Sequence, residues 1–235
     1  MSSSEQEPLA QALGLAAPQP GERVLDLSGR AGTIALQVAV TAASVEAVQP
    51  DADLAAEGRR LAVAMGRDNV YFHAGPLHGL PFDRGQFDLV LCCLTLAQES
   101  GPVAALTEIQ RVLRPGGRLV LQEVTAFAYP SLDLKIWELE RRRNPRHVVY
   151  YTEEQLRALL ELGGLGAEIE EHCGMTQDFD YWADTGRVAS EEAAALKRVF
   201  FNLPLVDQDR LDLALGDGRI SFTYPVTTVL ARALT

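Results

Sequence analysis

The sequence predicts an α/β fold in which a doubly wound, mostly parallel sheet carries helices on both faces. Over residues 20–125, short apolar segments alternate with segments whose apolar residues recur at helical spacing, the pattern of repeated strand–helix–strand units. Phe87–Cys93 is apolar at nearly every position, as expected for a strand buried on both faces. Right-handed crossovers between such strands place bound ligands at the carboxyl ends of the strands.

The first half of the chain divides into five strands and three helices. The predicted strands are Arg23–Leu27, Ser44–Val48, Asn69–His73, Phe87–Cys93 and Arg118–Val124. The predicted helices are Thr33–Thr41, Ala52–Met65 and Pro102–Leu113. Asp51 is expected to be the N-cap of the second helix, and the turn Arg114-Pro115-Gly116-Gly117 ends the third.

The second half is less regular. Thr152 and Gln155 have the spacing of a capping box, which predicts a helix over Glu153–Leu162. Ser190 is expected to cap a helix that runs to Phe201. The remaining predicted strands are Ala167–Glu171, Ile220–Thr223 and Val226–Arg232, the last two separated by Tyr224-Pro225.

The predicted domain organisation is a single domain over residues 1–235, because no linker or low-complexity stretch interrupts the pattern. Its core is expected at about 20–125, 152–173 and 219–233. The segments at about 1–19, 126–150 and 174–218 are expected to cover the carboxyl edge of the sheet.

The charge balance argues against binding to nucleic acid. The 235 residues include 21 Lys+Arg and 32 Asp+Glu, a formal net charge of −11. Proteins that bind a phosphate backbone need clustered positive charge to displace counterions, and the overall balance here is acidic. We therefore expect no nucleic-acid partner.

Cysteine usage and the apolar segments indicate a cytoplasmic protein without a metal site. Cys92, Cys93 and Cys173 have neither disulfide-framework nor metal-ligand spacing. The segment Met1–Glu7 lacks the features of a signal peptide, and Leu89–Ala97 is too short to cross a bilayer. We expect no membrane association.

Four segments, in this order and spacing, carry a resemblance to a known family. They are Val24–Thr33 (VLDLSGRAGT), Leu80–Phe82, Phe87–Val90 and Glu108–Gly117 (EIQRVLRPGG). Together they resemble class I S-adenosylmethionine-dependent methyltransferases, most closely the small-molecule branch of ubiquinone and menaquinone biosynthesis. The resemblance implies a Rossmann-like methyltransferase fold with seven strands, the last one antiparallel, and in-line methyl transfer to a small molecule.

The resemblance also assigns residues to two ligands. The residues expected around S-adenosylmethionine are Asp26, Ser28, Gly29, Arg30, Gly32, Gln49, Pro76, Leu77 and Cys93. The residues expected around the methyl acceptor are Phe127, Tyr129, His147, Tyr150 and Trp182. Aromatic residues in these segments would equally suit a dimer interface, so the sequence leaves the oligomeric state open.

Several cofactor positions depart from the family pattern. Ser28 and Arg30 replace two loop glycines, Gln49 replaces the acidic residue that binds the ribose, and Pro76 replaces an acidic residue near the adenine. These changes predict weak cofactor binding. One alternative is therefore a methyltransferase-fold protein that has lost or retuned cofactor binding and has a regulatory role or another reaction. An NAD(P)-dependent oxidoreductase is a minor alternative, because the G-x-G-x-x-G fingerprint is missing.

Three residues are candidates for acid–base catalysis: His147, Glu123 and His78. Each is predicted to face the cofactor or acceptor region, although each also has an ordinary structural interpretation. Arginines at 141, 142, 143 and 146 form a cluster that would either recruit an anionic substrate or form ion pairs with neighbouring acidic residues.

Overall fold

The computed structural model describes residues 6–216 and 218–234. Most of the N-terminal segment in which we expect no signal peptide lies outside the described residues. The strands are β1 (Arg23–Asp26), β2 (Ser44–Gln49), β3 (Val70–Ala74), β4 (Phe87–Cys93), β5 (Leu113–Val124), β6 (Leu165–Asp178), β7 (Ala214–Gly216) and β8 (Arg219–Ala233). The helices are α1 (Gln6–Ala16), α2 (Thr33–Val38), α3 (Ala52–Ala64), α4 (Pro102–Val112), α5 (Pro130–Arg143), α6 (Glu153–Leu162), α7 (Phe179–Thr185), α8 (Ser190–Phe201) and α9 (Leu205–Arg210).

The strands form one mixed sheet in the order β3-β2-β1-β4-β5-β8-β6, with β7 paired to β8. β1 to β5 are parallel to one another, and β8 lies antiparallel between β5 and β6. The predicted doubly wound sheet and its antiparallel last strand are confirmed. The predicted number of seven strands is wrong for the described residues, because β7 adds a short eighth strand.

Three strands, β5, β6 and β8, differ from the prediction by more than a shift of one residue. β5 begins at Leu113, because pairing steps from Phe87 opposite Leu113 to Leu89 opposite Arg118 and leaves 114–117 as a bulge within the strand. β6 is longer than predicted at both ends. β8 runs without a break through Pro225, whose carbonyl accepts a hydrogen bond from the Thr125 amide at 2.9 Å. Proline removes only one donor and its backbone remains compatible with a strand.

The helix starts confirm two of the three predicted caps. The Asp51 carboxylate accepts a hydrogen bond from the Leu54 amide at 2.9 Å. Thr152 and Gln155 form both bonds of a capping box, at 2.9 and 3.2 Å. The predicted cap at Ser190 is wrong, because this residue is already the first helical residue of α8 and Ala189 occupies the capping position.

The sheet packs helices against both of its faces. On one face, Leu106 and Ile109 of α4 and Leu160 of α6 pack against the strands. On the other face, Ala12 of α1 and Leu36 of α2 join a second apolar cluster with strand residues. Burial of these side chains contributes the main driving force for folding, since each fully buried aliphatic side chain stabilises by about 1.5–3 kcal/mol.

A third apolar cluster lies beyond the carboxyl edge of the parallel strands. β5 pairs with β8 only as far as Val124 opposite Val226, whereas β6 and β8 stay paired to Asp178 opposite Ser221. The two long strands therefore extend past this edge, and α5, α7 and α8 pack on the extension. We call this unit, together with residues 144–151 that follow α5, the cover.

Among the helices of the described ranges, none has both the length and the apolar character needed to cross a membrane.

Two glycines in helices should respond oppositely to replacement by alanine. A Cβ at Gly58 in α3 would overlap the ring of Phe72, whereas a Cβ at Gly14 in α1 would meet no described heavy atom within 4 Å. We expect Gly58→Ala to lower the free energy of unfolding by about 1–3 kcal/mol through overpacking. Gly14→Ala should raise it by up to about 1 kcal/mol through helix propensity. Urea denaturation measures both, and equal effects of the two substitutions would contradict this packing.

Candidate functional site

A cleft of about 850 Å³ opens at the carboxyl edge of the parallel strands, between that edge and the cover. Segments that follow or end all five parallel strands contribute to it. They are Leu27–Arg30 after β1, Pro50–Leu54 after β2, Gly75–His78 after β3, Leu94–Ser100 after β4, and Glu123–Val124 at the end of β5. The volume is within the range of pockets that bind small molecules and cofactors.

The loop after β1 is held by a buried carboxylate. Asp26 is fully buried, and its two oxygens accept hydrogen bonds from the Ser28 amide at 2.9 Å and the Ala35 amide at 3.0 Å. Burial raises the pKa of Asp26 to about 6, although these hydrogen bonds oppose the shift. The Ser28 hydroxyl accepts a further bond from the Cys93 amide at 3.1 Å, which joins the loop to β4. The loop is therefore fixed at both ends.

The same loop has an unusual backbone. Gly29 has φ 66° and ψ −144°, a conformation essentially confined to glycine. Arg30 and Ala31 follow with φ values of 54° and 52°, in the left-handed region that costs a residue with a Cβ about 1 kcal/mol. Arg30 therefore occupies a backbone conformation that suits glycine. Its side chain is exposed at the rim of the cleft.

The end of β2 presents an amide below the cleft and a carboxylate in it. Gln49 is fully buried, and neither polar atom of its amide has a hydrogen-bond partner among the described residues. Asp51 lines the cleft, and its carboxylate pairs with Arg146 of the cover at 3.3 Å. Hydrogen bonding from the Leu54 amide, together with Arg146, holds the pKa of Asp51 below its ordinary value.

The segments after β3 and β4 form one side of the cleft. Pro76, Leu77 and His78 line it, and Leu77 is buried while His78 is largely exposed. The His78 Nδ1 atom lies 3.6 Å from a carboxylate oxygen of Glu99.

Glu123 lies at the inner end of the cleft and is 1% exposed. One carboxylate oxygen accepts hydrogen bonds from the amides of Thr95 at 2.8 Å and Leu96 at 2.6 Å. Burial raises the pKa of Glu123 to about 8, against the effect of these bonds. At neutral pH this group is mostly protonated, and it fixes the loop after β4.

The cover contributes aromatic and polar side chains to the opposite wall. His147 is buried and stacks on Tyr150, with ring centroids 4.3 Å apart. Burial, with the charges of Arg141 and Arg143, lowers the pKa of His147 to about 4. Trp182 donates a hydrogen bond from Nε1 to Glu140 at 3.2 Å. His147, Tyr150 and Trp182 all line the cleft, as predicted for the acceptor side.

Comparison with known proteins points to one family. A family model described as a methyltransferase domain matches residues 25–121, which include the end of β1, all of β2 to β4 and most of β5. The demethylmenaquinone methyltransferase of Beutenbergia cavernae is 41% identical over 105 residues, 45% of this chain and 42% of that protein. The UbiE C-methyltransferase of ubiquinone and menaquinone biosynthesis from Rubrivivax gelatinosus is 32% identical over 115 residues, 49% of this chain and 44% of that protein.

Residues 25–121 therefore resemble a methyltransferase domain, and the relatives that match this part of the chain are methyltransferases of ubiquinone and menaquinone biosynthesis. The predicted resemblance, including its ubiquinone- and menaquinone-like branch, is thereby confirmed. The match covers less than half the length of the two relatives just described.

A longer similarity extends to the uncharacterized methyltransferase YcgJ of Bacillus subtilis, with 27% identity over 183 residues, 78% of this chain and 72% of that protein. The crystal structure of the YcgJ protein from Bacillus subtilis superposes with a TM-score of 0.89 at 22% identity. It covers 98% of this chain and 99% of that one, which shows a shared fold.

Five of the nine predicted cofactor residues line the main cleft: Ser28, Gly29, Arg30, Pro76 and Leu77. Asp26 and Gln49 are buried below it, because their side chains point into the protein at strand ends. Gly32 packs against the ring of Phe72, where a Cβ would overlap that ring. Cys93 borders a small adjacent pocket of about 40 Å³, on the other side of the loop after β1.

Two predicted acceptor residues lie away from the cleft in the described structure. Phe127 packs in the cover, with its ring centroid 6.2 Å from that of Tyr224. Tyr129 is exposed, and the Arg210 guanidinium lies 3.5 Å from its ring centroid. Both precede α5, whose start turns them away from the cleft wall. The three candidate catalytic residues, His147, Glu123 and His78, all reach the cleft.

The arginine cluster is engaged in contacts within the chain. Arg142 pairs with Glu192 at 2.7 Å, Arg143 pairs with Glu140, and Arg146 pairs with Asp51. The Arg141 guanidinium lies over the ring of Trp137, 5.5 Å from its centroid. These contacts favour the ion-pair interpretation over a free anion-binding cluster.

The cleft residues that were not predicted as site residues include Asp51, Met175, Gln177 and Tyr224. Asp51 was assigned only a capping role. Gln177 lies two residues from Met175 and two from Phe179, and all three are buried. In a strand, residues two apart face the same side, so Gln177 is a polar residue on a buried face. That alternation was the available signal.

The pKa of Glu123 predicts a pH-dependent stability. The unfolded chain loses this proton near the ordinary value of 4.5, and the folded protein keeps it up to about pH 8. The contribution of protonated Glu123 to the free energy of unfolding is therefore fully present below pH 4.5 and is lost as the pH rises through 8. The free energy of unfolding of the wild type should fall between pH 5 and pH 8. Glu123→Gln should make this fall smaller by at least about 1.4 kcal/mol, the equivalent of one pKa unit.

Urea denaturation at the two pH values measures this difference. Glu57→Gln, a change of an exposed residue on α3, is the control and should leave the decline intact. An unchanged slope in Glu123→Gln would show that the group titrates normally.

Proposed function

We propose that this protein transfers a methyl group from S-adenosylmethionine to a small molecule. The observation that carries the proposal is the convergence of all five parallel strand ends on one cleft within the matched methyltransferase domain. In this proposal the chain acts as a single cytoplasmic domain, without a nucleic-acid or membrane partner.

The residues of the cleft fit the cofactor, with changed contacts. The backbone at Gly29 is open to the cleft, since a Cβ there would meet only Pro50, at 4.0 Å among the described atoms. The buried amide of Gln49 has unused hydrogen-bonding capacity beside Val48 and Pro50, which line the cleft. Asp51 supplies a carboxylate in the same region. We assign the cofactor to this side, against Ser28, Gly29, Asp51 and Leu77.

When bound, S-adenosylmethionine supplies a methyl group on a positively charged sulfur. The protein's contribution to such a transfer is mainly positioning and exclusion of water, because in-line displacement needs the two reactants held in one geometry. The loop fixed by Asp26 and the loop held by Glu123 give that rigidity on the cofactor side. The cover closes the acceptor side.

The acid–base candidates have different capacities. With a pKa of about 4, His147 is uncharged at neutral pH and is a weak base that can still accept a hydrogen bond. Glu123, with a pKa of about 8, is a stronger base once deprotonated. We assign proton removal, where the acceptor requires it, to Glu123 or to the exposed His78, and assign contact with the acceptor to His147.

Arg30 is expected to weaken cofactor binding. Two like charges about 6 Å apart repel by roughly 3 kcal/mol at an effective dielectric of 20, and an exposed guanidinium loses part of that to screening. We expect wild-type protein to bind S-adenosylmethionine with a dissociation constant above the micromolar range. Arg30→Gly should strengthen binding about tenfold and, by relieving the left-handed backbone, raise the free energy of unfolding by about 1 kcal/mol.

Calorimetric titration with S-adenosylmethionine and S-adenosylhomocysteine tests both points. Arg84→Gly, in an exposed loop outside the cleft, is the matched control. Asp51→Asn should weaken binding while it keeps the helix cap, since asparagine caps as well as aspartate. If the wild type binds S-adenosylmethionine with a low-micromolar dissociation constant and Arg30→Gly binds no more tightly, Arg30 does not weaken cofactor binding. Lack of binding by every variant would contradict the proposed function.

A further inference from the structure

The wall that the cover presents to the cleft contains three polar atoms without internal partners. They are His147 Nε2, the Gln177 side-chain nitrogen and the Tyr224 hydroxyl, none of which makes a hydrogen bond of normal geometry within the described ranges. Their residues are 4%, 4% and 3% exposed, respectively. The polar ends of Tyr150 and Trp182 lie near the Tyr224 hydroxyl. Buried polar atoms are rarely left unpaired, because each loses its hydrogen bonds to water on folding. Three in one wall indicate a site built to bind something polar.

The fold brings these residues together from separate parts of the chain. Gln177 and Tyr224 lie on the extension of β6 and β8 beyond the parallel strands. Met175 is directly opposite Tyr224 in the strand pair, so Gln177, two residues further along β6, is the diagonal neighbour of Tyr224 on the same face of the sheet. His147 comes from the segment between α5 and α6. All three line the same cleft, opposite the loops assigned to the cofactor.

The two charged groups at the inner part of this wall, Glu140 and Arg143, are already paired, whereas Arg187 lines the cleft as an exposed residue. Glu140 pairs with Arg143 and accepts a hydrogen bond from Trp182 Nε1. Arg143 also donates to the Trp182 carbonyl at 2.7 Å and to the Thr185 hydroxyl at 3.0 Å. A charged ligand would gain no free counter-charge from this pair and would lose its hydration.

We propose that His147, Gln177 and Tyr224 form the acceptor subsite and select an uncharged acceptor bearing a hydroxyl or carbonyl oxygen. The Gln177 amide and the Tyr224 hydroxyl donate hydrogen bonds to that oxygen. His147 Nε2 accepts or donates one according to its tautomer. The rings of Tyr150 and Trp182 pack against the apolar part of the acceptor. This inference rests on the proposed function in naming the ligand a methyl acceptor.

Three ring compounds that differ in charge test the selection: benzyl alcohol, benzoate and benzylamine. Their dissociation constants are measured by ligand-observed NMR, with and without S-adenosylhomocysteine. Benzyl alcohol should bind tightest of the three. Tyr224→Phe and Gln177→Leu should each weaken it about 3- to 10-fold, the loss expected for one neutral hydrogen bond. Tyr71→Phe, on the exposed face of β3, should leave it unchanged.

The melting temperature of the free protein separates binding from structure. Because the Tyr224 hydroxyl makes no hydrogen bond of normal geometry in the described structure, Tyr224→Phe should leave the melting temperature unchanged or raise it. A lower melting temperature in Tyr224→Phe would assign the hydroxyl a structural role and overturn the proposal. Binding of benzoate or benzylamine as tight as benzyl alcohol, unchanged affinity in both variants, or no binding of any probe would also overturn it.

Failure of this subsite and failure of the proposed function give different results. If S-adenosylhomocysteine binds and the variants do not alter benzyl alcohol binding, the subsite is wrong and the methyltransferase function stands. If S-adenosylhomocysteine does not bind while benzyl alcohol binds with the expected dependence, the function is wrong and the polar site stands.

Discussion

Parallel pairing of β1 to β5 forces the segments that follow these strands to leave from the same edge of the sheet. Five segments thereby meet around one cleft, although they are far apart in sequence. The cost is that backbone amides at this edge lack strand partners. Asp26 and Glu123, both buried, supply that need by accepting hydrogen bonds from loop amides. Burial raises the pKa values of both carboxyl groups, because the charged form loses its hydration.

The antiparallel last strand has a different consequence. Because β8 runs opposite to β5, its first residues pass beyond the edge where the parallel strands stop, and β6 pairs along the whole extension. The extension carries the apolar cluster that includes Phe179, Phe200 and Phe222, so the cover is a continuation of the sheet. One wall of the cleft is therefore made largely of loop backbone, and the other of side chains from strands and helices.

These two walls tolerate change differently. The loop after β1 keeps its left-handed backbone at Arg30, because Asp26 and the bond between Ser28 and Cys93 fix the loop from outside that position. A side chain replaced there alters charge at the rim without altering the path of the chain. In the cover, the paired Glu140 and Arg143 are tied to Trp182, so a replacement of either would leave a buried charge without its partner.

The sequence by itself determined the order of strands and helices from β1 to β5, the caps at Asp51 and Thr152, and the resemblance to the methyltransferase family. Each of these depends on local periodicity, short-range hydrogen bonds or motif spacing. The tertiary structure alone decided the length of β6 and β8 and the pairing of Arg146 with Asp51. It also decided the exclusion of Phe127 and Tyr129 from the cleft and the convergence of His147, Gln177 and Tyr224 upon it. These depend on which faces meet after the strands have paired, and neighbouring residues in the sequence do not encode that geometry.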